Sequence, residues 1–205
     1  MNELRNKRIA WMQAEAKKRL LLLDGSWGVM IQGYGLQEDD FRGARFGNHP
    51  SDLKGNNDLL TLTKPEIIRE IGHAYLKAGA DFIETNTFNS MHSSQEDYGL
   101  SHLVGELNHA GAQLARAICD EHSTPERPRL VAGVLGPANR TASISPDVND
   151  PAFRNITFDQ LRATYKEAAL GLIKGGADVL MIETIFDTLN AKAAIYAIEE
   201  AFIEV

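Results

Sequence analysis

A chain of 205 residues, 43% apolar, 24% charged and 7% aromatic, has the composition of a globular protein of one or two domains, long enough to bury a core without disulfides. Its single cysteine, Cys119, excludes a disulfide framework and any multi-cysteine zinc site. Acidic residues outnumber basic ones 28 to 21, and the net charge of −7 argues against nucleic acid or an anionic membrane surface as a partner.

The apolar runs fall far short of the ~20 residues of a membrane span. Basic residues from Arg5 to Arg19 interrupt the N-terminus, so it has no secretory signal, and a cytoplasmic enzyme is expected. Residues 1–19 read as an N-terminal helical extension, amphipathic, with Leu4, Ile9, Trp11, Met12 and Leu20 partly buried.

From Leu20 onward, short apolar runs alternate with stretches of helical period, the pattern of an α/β chain built from parallel (β/α) units. Four strands are predicted: Leu20–Leu23 ending at Asp24-Gly25, Asp81–Phe88, Leu130–Leu135 ending at Gly136-Pro137, and Asp178–Thr184. Their middles are continuously apolar, as expected when both faces are covered. The connection over 33–55 and the pair Leu59-Leu60 carry no assignable element.

The intervening helices show their ends. Thr63-Lys64-Pro65-Glu66 reads as a capping box before the stripe Ile67, Ile68, Ile71, Tyr75 and Ala78, with Gly79 as terminator. Thr157-Phe158-Asp159-Gln160 repeats the device before a helix that stops at Gly175-Gly176. Leu103, Leu107, Ala110, Leu114 and Ala117 mark one face of a third helix. Asp187 or Thr188 caps a fourth, which turns Ala194, Ile198 and Phe202 toward the sheet. An internal echo accompanies this pattern: Lys77-Ala78-Gly79-Ala80-Asp81 recurs 97 residues later as Lys174-Gly175-Gly176-Ala177-Asp178, each time leading into a strand that ends Ile-Glu-Thr. The punctuation of any αβ unit accounts for much of this, and descent from a common unit is the other reading.

In parallel α/β folds ligands bind at the carboxyl ends of the strands. Asp24, Glu84 and Glu183 all fall there. Singly, Asp24-Gly25 is also an ordinary turn dipeptide, and Glu183-Thr184 also suits a carboxylate that accepts hydrogen bonds from a following helix. Together, converging carboxylates make a receptor for an ammonium group, and the polar run Glu84-Thr85-Asn86-Thr87 strengthens that reading. The six histidines do not gather, and His102 and His109 are expected on a solvated helix side. No phosphate-binding glycine loop or nucleophile elbow is present. The residues alone define an α/β enzyme domain for a small cationic or zwitterionic ligand.

Leu22-Leu23-Asp24-Gly25, Gly55-Asn56-Asn57-Asp58-Leu59-Leu60, Ala78–Phe88, Ala132–Pro137 and Ile182–Thr188 stand in the order found in homocysteine S-methyltransferase domains, which the chain resembles from about residue 18 to its last. Asn139–Pro151 followed by Phe153–Phe158 is similar to the N-terminal module of cobalamin-dependent methionine synthases. A departure is Ser26-Trp27, where the family usually has small or flexible residues; Trp27 is expected to add bulk beside the pocket mouth.

The resemblance implies that residues 20–205 form strands 1–4 of a TIM-type (β/α)8 barrel, incomplete in this chain. It implies that Asp24 and Glu183 face the amino group and thiol side of homocysteine. By the same likeness, backbone N–H groups around Gly25 and Ser26 receive the carboxylate, and Glu84, Asn86 and Thr87 line the wall. In the family, three cysteines from later strands hold zinc, which keeps the thiol as a nucleophilic thiolate, and methylcobalamin regenerated from methyltetrahydrofolate supplies the methyl group. Cys119 falls in a helix as a small buried hydrophobe, so no zinc-binding cysteine is present. Neither zinc nor cobalamin is therefore expected to bind stably, and the chain alone is expected to be inactive. Its expected partners are homocysteine, the remaining half of the barrel and the cobalamin and folate modules, with open sheet edges favouring self-association. Two rivals remain: an accessory half-barrel that pairs with a complementary chain, and a site in which Asp24, Glu84 and Glu183 ligate Mg²⁺ or Mn²⁺.

Overall fold

The computed structural model describes residues 2–205. Its centre is a parallel sheet of three strands in sequence order: β1 (Phe82–Glu84), β2 (Leu130–Leu135) and β3 (Val179–Ile182). Phe82 is in register with Leu130, and Ala132 with Val179. All six residues of β2 are buried, as the uninterrupted apolar run requires of a central strand.

Three strands rather than four is a correction, and its cause is local. The run Leu20–Leu23 does lie beside β1, where the N–H groups of Asp81 and Phe82 both donate to the Leu22 carbonyl at 2.7 and 3.1 Å. The other rungs belong to side chains: Leu22 N–H donates to Asp81 Oδ2 at 3.0 Å, and Glu84 N–H to Asp24 Oδ2 at 2.9 Å. Carboxylates replace the backbone ladder, so no regular strand forms. Nor are both faces covered, since Leu20 is 85% and Leu22 53% exposed.

The predicted second and fourth strands are likewise shorter than the apolar runs. Thr85 N–H still reaches the Ala132 carbonyl at 2.9 Å, after which Thr87 N–H turns back to Thr85. Beyond β3, Glu183 N–H donates to Leu135, and Thr184 then takes φ 57°, the one positive φ outside glycine among the described residues. A β-branched residue is strained in that region, and the turn it makes ends the strand directly after Glu183.

Around the sheet stand α5 (Pro65–Ala78), α7 (Val104–His122), α8 (Phe158–Gly175) and α9 (Thr188–Glu204), and the short α6 (His92–Glu96) lies between β1 and α7 in the chain. The expected box at Thr157 forms: its hydroxyl accepts from Gln160 N–H at 3.2 Å, and Gln160 Oε1 accepts from Thr157 N–H at 2.9 Å. The one expected at Thr63 does not. Lys64 takes the cap position before α5 and offers no side-chain bond, because the Thr63 hydroxyl donates back to the carbonyl of Leu59, which precedes α4 (Leu60–Thr63). The buried face of α7 runs through Val104, Asn108, Ala112, Ala115 and Cys119; Leu103 and Leu107 are buried as expected, but Ala117 is exposed. On α9, Asp187 caps by accepting from the Leu189 and Asn190 N–H groups, and the small residues Ala193, Ala194, Ala197 and Ala201 pack inward. Phe202, expected on that face, is 54% exposed.

The stretch over 33–55 and Leu59-Leu60, which carried no pattern, follows α2 (Trp27–Gln32) and holds α3 (Glu38–Arg42), a 3-10 turn at Asn57–Leu59 and the start of α4, and it buries Leu53, Leu59 and Leu60 completely. The N-terminal segment forms α1 (Asn2–Glu15), but polar contacts hold it as much as an apolar stripe: Leu4 is exposed, while Arg5 donates to the Ile173 carbonyl, Arg8 to Asp178 and the Trp11 indole to the Glu126 carbonyl.

Those arginines give the internal echo a physical meaning. Gly79 and Gly176, with φ of 110° and 109°, end α5 and α8 in the left-handed conformation, and each releases the chain into an aspartate at the foot of a strand. Asp81 exchanges hydrogen bonds with Leu22, and Asp178 exchanges them with Val131, so each carboxylate fastens its strand to the preceding one. Arg19 and Arg127 converge on Asp81, and Arg8 and Arg116 on Asp178.

Candidate functional site

At the opposite, carboxyl end of the strands a cavity of about 420 Å³ opens between the start of α2 and the ends of the sheet. Gly25, Ser26, Glu84, Asn86 and Glu183 line it, as do Trp27, Thr85, Phe88 and Val134. The fold thus brings five of the seven residues singled out in the sequence to one cavity. The strand ends place the glutamates, and Ser26 is there because its hydroxyl, accepting from Val29 N–H, starts α2.

Two of the seven sit elsewhere. Thr87 is buried behind the wall, where its hydroxyl meets that of Thr85 at 2.6 Å and donates to the Val134 carbonyl, while Val134 N–H donates to Thr85 Oγ1. The two hydroxyls thus extend the pairing of β1 with β2 beyond the backbone ladder, which is why a polar run follows an apolar strand here. Asp24 lies beside the cavity without lining it. Its Oδ2 accepts from Glu84 N–H at 2.9 Å and from the Trp27 indole at 2.8 Å, and its Oδ1 is buried with no partner. Asn86 reaches the cavity, but its amide group is already donating to the Asn57 carbonyl and Thr61 Oγ1.

Three carboxyl groups therefore gather at one place, and no basic side chain among the described residues counters them. Burial pushes Glu84 up to about 8, reinforced by the charges of Asp24 and Glu183. Burial also raises Asp24 to about 6, against the pull of the Glu84 N–H and the Trp27 indole, and it raises Glu183. Such a site gains from an incoming cation. The alternative role for Glu183, capping the next helix, falls instead to Asp187.

The rival reading of these carboxylates as Mg²⁺ or Mn²⁺ ligands is not met: among the described residues no group of three or more His, Cys, Asp or Glu side chains is placed to hold a metal ion. Nor do the residues fit zinc. Cys119 is fully buried in α7, its thiol donates to the Leu130 carbonyl, and burial pushes it up to about 12.

Sequence reasoning missed the indole bond to Asp24, because Trp27 registers there only as bulk. It also missed Tyr75, read as core, whose hydroxyl donates to the Ser26 carbonyl at 3.1 Å and whose ring tilts against Trp27 at 6.2 Å. No local pattern signals a contact across such a separation.

A carboxylate-lined cavity at the strand ends of a parallel α/β sheet is the arrangement of a small-molecule enzyme domain. The chain belongs to the homocysteine S-methyltransferase family, whose pattern matches residues 21–205. Its fold is similar to that of the homocysteine methyltransferase MmuM from Escherichia coli. With the oxidised form the TM-score is 0.70 at 21% identity, over 95% of this chain and 63% of that one. The metallated form gives 0.70 at 20% identity, over 95% and 64%. The apo form gives 0.63 at 20% identity, over 93% and 59%. At these identities the likeness is one of fold, and the chain spans a little under two thirds of the length of those proteins. Among the described residues no helix is long and apolar enough to cross a membrane.

Proposed function

We propose that the cavity receives the amino-acid end of homocysteine, and that the chain is the homocysteine-binding portion of a methyltransferase of the cobalamin-dependent methionine synthase type. The observation that carries this reading is the uncountered set of carboxylates at the strand ends in a member of this family. An ammonium group entering beside Glu84 and Glu183 supplies the missing positive charge, and charge-assisted hydrogen bonds fix the amino acid by its α-carbon end. Asp24 supports Glu84 from behind, and the backbone around Gly25 and Ser26 borders the place for the carboxylate. In this reading the chain's own residues bind and orient the substrate. They offer no thiolate set for zinc, so the methyl transfer, in which the homocysteine sulfur loses its proton and bonds the methyl carbon while that carbon's bond to the donor breaks and leaves its electron pair on the donor, would need groups from the rest of the barrel and from cobalamin and folate modules.

Calorimetry on the chain tests this. Homocysteine is expected to bind, its deaminated analogue 4-mercaptobutyrate at least about tenfold more weakly, and Glu183→Gln is expected to weaken homocysteine by about tenfold. Equal affinity for the two ligands overturns the reading. Incubation with methylcobalamin is expected to give no methionine, and its formation by this chain alone overturns the division of labour.

Both flanks of the sheet support completion by further strands. Leu20, Leu22 and Leu23 are exposed beside β1, and Phe186 and Ile203 on the side of β3. Uncovered edges of this kind associate. Sedimentation is expected to show concentration-dependent association of the chain, and a monomer up to high concentration counts against it.

A further inference from the structure

Trp27 lines the cavity without touching the proposed place of the ligand's charged groups. It is 8% exposed, and its indole N–H lies 2.8 Å from Asp24 Oδ2. That same oxygen accepts the N–H of Glu84, the last residue of β1. Because Leu20–Asp24 pairs with β1 by backbone only at the Leu22 carbonyl, the Asp24 carboxylate is what fastens the Gly25-Ser26 turn to the end of that strand. The indole fixes which oxygen does so. Trp27 also packs against Tyr75, with ring centroids 6.2 Å apart, and the Tyr75 hydroxyl donates to the Ser26 carbonyl, a second tie on the same turn.

We infer that Trp27 is a positioning residue of the ligand cavity, acting through Asp24: its indole N–H locks the carboxylate that sets Glu84 and the Gly25-Ser26 turn at their places. Trp27 is thus a donor as well as a wall of the cavity. The expected consequence for affinity rests on the proposed homocysteine site, whereas the positioning itself does not.

The test separates the two. In Trp27→Phe, which keeps the aromatic wall and removes the donor, amide exchange at Glu84 is expected to accelerate by about tenfold while Val131 and Val134 are unchanged; unchanged exchange at Glu84 overturns the inference. Homocysteine affinity in that variant is expected to fall by about tenfold, the worth of a hydrogen bond to a charged group. In the Asp24→Ala background the same substitution is expected to add less than twofold, because both act on one element. An equal loss in both backgrounds means that the ring acts by packing alone and overturns the inference. If the wild-type chain does not bind homocysteine, the proposed site fails and the exchange result still decides the role of Trp27.

Should the variant not fold, the wild-type chain suffices. The proton resonances of the Trp27 indole and the Glu84 amide are expected to move together with pH through one midpoint, that of Asp24, whose titratable neighbours are Glu84, Glu183, Tyr75 and Cys119. Flat or separate curves overturn the inference.

Discussion

Asp81→Ala is expected to destabilise the chain by about 2–3 kcal/mol at pH 7, below the range for a fully buried ion pair because the Arg19 and Arg127 side chains keep access to water. Asp81 is fully buried at the foot of β1, with Arg19 donating from two nitrogens at 2.7 and 2.9 Å and Arg127 at 3.0 Å. Removing the carboxylate leaves those guanidinium groups without their counter-charge and the Leu22 N–H without its acceptor. Burial by itself raises the Asp81 carboxyl, but the bonds from Arg19, Leu22 and Arg127 overcome it and hold the group well below the usual carboxylate range. A carboxyl whose folded value is depressed contributes its stability above the unfolded value near 4, and the contribution fades as pH falls below that. The gap between wild type and variant in urea denaturation is therefore expected to be widest at neutral pH and to narrow toward pH 2. A gap independent of pH shows that the loss is one of packing.

The Asp81 and Asp178 pair also shows what the sequence makes visible. Helices, glycine terminators and buried strands follow from periodicity, so the three paired strands, the box at Thr157 and the cap at Asp187 were all legible. The repeated Lys-x-Gly-x-Asp is legible as punctuation, but the arginines that answer it come from 46 and 62 residues away for Asp81 and from 62 and 170 for Asp178, and no local rule pairs them. The first strand was over-read for a related reason. Four leucines satisfy the pattern of a covered strand, yet whether a strand forms depends on which groups fill the ladder, and here Asp24 and Asp81 fill it. At the site, residue type and strand-end position single out Gly25, Ser26, Glu84, Asn86 and Glu183, and the fold places all five around one cavity. Side-chain direction was beyond the sequence: the alternation that sends Glu84 toward the cavity breaks once the chain leaves the ladder after Thr85, and Thr87 turns inward.

Glu84→Gln is expected to raise stability by about 2 kcal/mol at pH 8.5 and by almost nothing below pH 5. Glu84 is half-buried between Asp24 and Glu183, and its value of about 8 stands far above that of an unfolded glutamate, near 4.3. Between those two values the folded chain holds a proton that the unfolded chain has released, so its stability falls as pH rises through the interval; above 8 the full penalty is present. Access of solvent to the cavity keeps the penalty below what the whole displacement would give. Glutamine keeps the shape and removes the titration, so the slope of stability against pH flattens, leaving the smaller part due to Asp24 and Glu183. Thermal unfolding from pH 5 to 9 measures this, and parallel curves for the two proteins would show that Glu84 is not the group involved. The same proton ties stability to binding. An ammonium group beside Glu84 favours the charged carboxylate, so homocysteine is expected to expel the proton near pH 7. The observed heat of binding should then vary with the ionisation enthalpy of the buffer in the wild-type chain and lose that dependence in Glu84→Gln. A site that destabilises the empty fold at neutral pH, and is relieved by the charge of its ligand, spends stability on selecting a cation.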